Sequence, residues 1–89
     1  MEYETVIQRG YKGSYCLKII VPIKHTLQIQ QFVSELGTDS NINTDWLNIV
    51  VCNDNKNVLR YIDYELGKFI SNIDFAERCY NELFMEIKA

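Results

Sequence analysis

Val58-Leu59-Arg60-Tyr61-Ile62-Asp63-Tyr64-Glu65-Leu66, residues 58–66, decides how the second half of this chain folds. Two periodicities compete in it. Leu59, Ile62, Leu66 and, just beyond, Phe69 recur at helical spacing, whereas Ile62, Tyr64 and Leu66 alternate along one face of a strand. The β-branched and aromatic content, and the turn-forming run Asn53-Asp54-Asn55-Lys56-Asn57 ahead of it, favour a strand reached through a hairpin. As a strand it projects Asp63 and Glu65 from one face beside Tyr61, opposite Ile62 and Tyr64, and Gly67-Lys68 then bends the chain into a short strand from Phe69 to Ser71.

Moving upstream, Trp46 to Cys52 alternates as a strand with Leu47, Ile49 and Val51 on one side. Thr38 to Asp45 is rich in the short polar residues that bond the backbone in turns, and it is expected to be a loop. Before it, Ile29, Phe32, Val33 and Leu36 predict a helix over Leu27 to Leu36, with Thr26 as its cap and Gly37 at its end. Tyr3 to Arg9 and Tyr15 to Ile23 are the first two strands, joined by Gly10-Tyr11-Lys12-Gly13-Ser14, whose two glycines suit the positive φ of a hairpin turn. Pro22 has no N–H to donate, so the second strand ends near it or runs along an edge.

Downstream, Asp74 and Glu77 form a capping box for a last helix starting at Ile73 or Asp74 and running to Ile87. Its stripe of Ala76, Cys79, Tyr80, Leu83, Phe84 and Ile87 is expected to cover one face of the sheet. The chain is therefore expected to form one α+β domain over residues 1–89. Its architecture is a mostly antiparallel sheet of four to five strands with two helices packed on one face, in the order β-β-α-β-β-(β)-α.

At 89 residues and 47% hydrophobic, the chain is long enough for one core and no more. Cys16, Cys52 and Cys79 are odd in number and widely spaced, which disfavours both a disulfide framework and a zinc site; no metal or cofactor is expected. A signal-like start and a membrane-length apolar run are both missing from the sequence, so the cytoplasm is the expected location, with no membrane contact. The net charge of −3 is uneven: residues 1–34 carry four Lys/Arg against two Glu, and residues 35–89 carry five against ten Asp/Glu. Such a balance suits a cationic partner for the second half.

Catalytic constellations are sparse. Cys52, His25 and Asp54 make a thiol–imidazole–carboxylate set only if two strand ends meet, and Asp63 with Glu65 would need a pocket to act as acid and base. An enzyme is not expected. Tyr61, Asp63 and Glu65 instead make an acidic, tyrosine-flanked recognition surface, and Trp46, the single tryptophan, is a candidate interface residue beside its polar loop. Arg9, Tyr11 and Lys12 put a guanidinium, a ring and an ammonium on one hairpin tip, suited to a phosphate or nucleotide-like ligand.

Two functions follow as expectations. The first is a small non-enzymatic protein that inhibits or sequesters a partner protein, of the inhibitor, immunity or phage counter-defence type; the abundance of Ile, Asn and Tyr, common in AT-rich genomes of bacteria and their phages, accords with it. The alternative is a domain that senses or sequesters a nucleotide-like molecule, at an oligomer interface such as that of a homodimer. Nucleic acid ranks below both, because the overall charge is negative.

Overall fold

Alternation in the two central strands builds one apolar sheet face. In the computed structural model, which describes residues 1–36, 40–44 and 48–88 with side chains through Asn81, the strands are β1 (Glu4–Arg9), β2 (Tyr15–Ile20), β3 (Asn41–Thr44) and β4 (Asn48–Asn53). They form a single antiparallel sheet in the order β1-β2-β4-β3. The register aligns Ile7, Leu17, Val51 and Ile42 in one rung and Thr5, Ile19, Ile49 and Thr44 in the next, all on the face that becomes the core. Val6, Lys18, Val50 and Asn43 share a rung of the other face, which no helix covers.

Two helices cover the apolar face, as expected for this α+β architecture: α1 (Thr26–Leu36) and α2 (Lys56–Lys88). The core consists of Leu17, Ile19, Ile49 and Val51 from the sheet, Ile29 and Val33 from α1, and Leu59, Ile62, Leu66 and Ile70 from α2, with Val21 beside them. Phe32 and Phe69 stack face to face at 4.0 Å where the helices meet.

The decisive stretch is a helix. Residues 58–66 lie in α2, and the expected strands at Val58–Leu66 and Phe69–Ser71 do not form. The reason is local and tertiary together. Asn53 Oδ1 accepts the Asn55 N–H at 2.8 Å, and Asn55 Oδ1 accepts the Asn57 N–H at 3.0 Å, so the polar run is a helix N-cap and not a hairpin turn. The Leu59, Ile62, Leu66 spacing then meets a sheet face already made apolar by β2 and β4, and burial outweighs the weak strand preference of Tyr and Ile.

The fourth strand is β3, inside the segment expected to be a loop, so the element order holds with different residues in it. Asp74 and Glu77 are mid-helix rather than a capping box: Asp74 Oδ1 accepts a 2.8 Å bond from the Met1 amine, and Glu77 Oε1 lies 3.7 Å from His25 Nε2. The expected sheet-covering stripe belongs to the part of α2 beyond the sheet, where Ala76 and Tyr80 are exposed and Cys79 is half-buried. The sheet is covered by Leu59 to Ile70 instead.

Thr26 starts α1 but does not cap it, because its hydroxyl donates to the Pro22 carbonyl at 3.5 Å after a 3₁₀ turn over Ile23–His25. Strand β2 ends at Ile20, two residues before Pro22. At the hairpin tip the left-handed residues are Lys12 (φ 54°) and Gly13 (φ 79°); Gly10 is extended, and it is glycine for room, since a Cβ there would meet Cys16 Sγ at 2.7 Å and Ser14 Oγ at 2.8 Å. Trp46, Leu47 and Gly37 lie outside the described residues. Among the described residues no helix is long and apolar enough to cross a membrane.

Helix and strand register make opposite predictions for two neighbours. Leu66→Ala is expected to cost about 2–5 kcal/mol in urea unfolding, as a fully buried leucine should, while Tyr64→Ala, on the outside of the helix, changes stability by less than about 0.5 kcal/mol. A strand would make the two losses similar.

Candidate functional site

Helical winding redistributes the residues expected to form one acidic surface. Tyr61 and Glu65 are one turn apart and share a side, while Asp63 is turned by about 160–200° from both. Tyr61, Tyr64, Lys68 and Phe75 follow helical spacing along the outer face of α2, away from the core. The rings are open to solvent: Tyr61 is 54% exposed, Tyr64 67% and Phe75 66%. Lys68 Nζ sits 5.4 Å from the Tyr64 ring centroid and 3.7 Å from Glu65 Oε1, so its charge is already directed along the helix surface.

Asp63 faces the other way, into an open groove of about 570 Å³ between α2 and the outer edge of β1. Tyr3, Thr5, Asp63, Tyr64 and Gly67 line it, with Lys68 at its rim. The groove exists because α2 packs over β2 and β4 and leaves the core-side residues of the edge strand β1 partly uncovered. Gly67, costly in propensity at mid-helix, brings bare backbone to the groove wall, with the Tyr3 hydroxyl 3.5 Å from where a Cβ would stand.

The carboxylates of α2 differ in what they face. Asp74 pairs with the Met1 amine, Glu77 lies beside His25, and Glu65 is 3.7 Å from Lys68. Half-buried Asp63 has no hydrogen bond or ion pair among the described residues.

At the far end of the sheet, Arg9, Tyr11 and Lys12 do come together on the β1–β2 hairpin, and all three are exposed. Lys12 Nζ lies 5.6 Å from the Tyr11 ring centroid, and Lys56, the first residue of α2, lies 5.7 Å from that of Tyr15. Both rings therefore carry an ammonium of their own. Trp46 lies outside the described residues.

The thiol–imidazole set does not assemble. Cys52 pairs with Cys16 near the hairpin end of the sheet, whereas buried His25 follows the opposite end of β2. The Cys16 and Cys52 thiols meet across the ladder on the uncovered face; burial, reinforced by the Cys16 thiol, pushes Cys52 from the ordinary 9.0 up to about 11. Such a thiol is a poor nucleophile near neutral pH. Among the described residues no cluster of three or more His, Cys, Asp and Glu is placed to hold a metal ion.

A strand at Val58–Leu66 gives Tyr3, Thr5 and Gly67 no groove to line, so the sequence does not mark them as site residues. Once α2 is recognised, the signal is the single glycine inside an otherwise regular helical repeat. Compared with known proteins, the chain matches no family model, no curated protein and no solved structure.

Two measurements check this geometry. Gly67→Ala is expected to raise stability by up to about 1 kcal/mol in urea unfolding, since its Cβ would make only an ordinary contact and helix propensity improves. Because Cys52 holds its proton more tightly folded than unfolded, its contribution to stability is complete below pH 9 and is lost as pH rises from 9 towards 11. The urea midpoint of the native protein should therefore fall more steeply over that interval than that of Cys52→Ala.

Proposed function

We propose that this chain is a non-enzymatic protein-binding module that covers or sequesters a partner protein, as small inhibitors and immunity proteins do. The observation that carries the reading is the outer face of α2, where Tyr61, Tyr64 and Phe75 stand more than half exposed along one side of a helix whose opposite side is buried from Leu59 to Ile70.

Large aromatics stabilise an interface by burying much area at small entropic cost, and a monomeric surface seldom lines them up without use for them. The backing of Tyr61 and Tyr64 is rigid, because Leu59, Ile62, Leu66 and Ile70 fix the helix turns that carry them to the sheet. A rigid ridge loses little conformational entropy on binding. The polar residues interleaved with the rings, Glu65, Lys68 and Asn72, supply a rim suited to orienting a partner.

The test is site-specific photocrosslinking in the cells that make the protein. A benzoylphenylalanine at Tyr61 is expected to give a discrete adduct with one protein, whereas the same probe at exposed Gln28 on α1 gives none. Adding Tyr64→Ala and Phe75→Ala should weaken the adduct about 30-fold, the effect of losing about 2 kcal/mol at a hot spot. Equal labelling from Gln28, or an adduct indifferent to both substitutions, overturns the reading.

A further inference from the structure

We propose that β1 is the subunit contact of a homodimer, in which the β1 edges of two copies pair antiparallel into one eight-stranded sheet and each Arg9 enters the Asp63 groove of the other copy. The exposed edges of the sheet are not equivalent. Strand β3 is four residues long with three exposed polar side chains, which is a blunted edge. Strand β1 is six residues long, has no proline or left-handed residue within it, and leaves Val6 50% exposed at its middle. Nothing in β1 except its charges guards against pairing.

Those charges are arranged to accept a second copy. In an antiparallel pair about a two-fold axis, residues opposite one another must lie on the same sheet face. With Ile7 on the axis, Ile7 meets Ile7 of the second copy on the core side, so the two apolar cores become continuous through a residue already half-buried against each. Val6 then meets Gln8 on the uncovered face, and Thr5 meets Arg9. Thr5 lines the groove that Asp63 occupies. The second copy's Arg9 therefore arrives beside a half-buried carboxylate that has no cation partner among the described residues, between the rings of Tyr3 and Tyr64, which suit a guanidinium. Gly10 continues β1 in an extended conformation and can lie opposite Glu4 in the same register.

The contact is isologous, so each dimer holds two identical Arg9–Asp63 pairs, and charge reversal tests it without any other ligand. Sedimentation across a dilution series is expected to show the native protein passing from a 10.5 kDa monomer to twice that mass, and Asp63→Arg or Arg9→Asp alone to hold it at the monomer. Asp63→Arg carries two cations at the contact and Arg9→Asp two anions, so mixing the two variants restores a species of twice the monomer mass, as does the double variant alone. Circular dichroism confirms that each variant is folded, which is expected because Arg9 is exposed and Asp63 has no hydrogen bond or ion pair among the described residues. A native protein that stays monomeric throughout, a dimer indifferent to either reversal, or a mixture that remains monomeric overturns the proposal. Tyr64 borders the groove as well as the outer face of α2, whereas Tyr61 and Phe75 do not line the groove, so a Tyr61 crosslink weakened by Phe75→Ala is read independently of dimer formation.

Discussion

One constraint organises this molecule: β2 and β4 turn Leu17, Ile19, Ile49 and Val51 to the same side, and that face must be covered. Both helices lie on that face of the four-stranded sheet, so the fold is one-sided. Helix α1 is short and reaches mainly β4, which leaves α2 to span the centre. Everything else follows from where that helix lies. The Phe32–Phe69 stack fixes it against α1, and the Met1 amine bonds its Asp74 at the start of the sheet's edge strand.

How far the sequence discloses this depends on how local each signal is. Strands β1, β2 and β4 and helix α1 are legible because alternation such as that at Tyr15–Ile20 and the Ile29, Phe32, Val33, Leu36 spacing are complete within a few residues. Residues 58–66 satisfied two periods at once, and the tie was broken wrongly by Asn53–Asn57, since asparagine serves a hairpin and a helix cap equally well. Only the hydrogen bonds at Asn53 and Asn55, which a sequence does not display, separate the two. Strand β3 was hidden for the opposite reason: Asn41-Ile42-Asn43-Thr44 has one apolar residue, and it pairs because β4 offers it an unfilled ladder.

That single misassignment also reshaped the candidate site. As a strand, Tyr61, Asp63 and Glu65 share a face and make one acidic patch; as a helix, the tyrosine stays outward with Glu65 while Asp63 turns to the edge strand. The result is two surfaces with different chemistry on adjoining sides of one helix. The outer one is aromatic and interleaved with polar residues. The inner one is a groove with a carboxylate, two tyrosines and an exposed strand edge. Arg9, Tyr11 and Lys12 stay neighbours at the tip, because a hairpin connection keeps sequence neighbours together in space.

The far part of α2 shows why the helix is longer than the sheet requires. Packing against β2 and β4 accounts for Leu59 to Ile70, yet the helix continues to Lys88, the molecule extends 59 Å along its long axis, and its radius of gyration is 15.3 Å against about 12 Å for a compact chain of this length. Helical propensity alone sustains short helices poorly in water, so the continuation draws support from the turns already held by the sheet and from His25, whose imidazole lies beside Glu77. Rigid backing is therefore greatest beneath Tyr61 and Tyr64, where Leu59, Ile62, Leu66 and Ile70 hold the helix to the sheet. If rigid backing is what makes an exposed ring useful for binding, the sheet-supported turns that carry Tyr61 and Tyr64 form the centre of the recognition surface, with Phe75 at its margin.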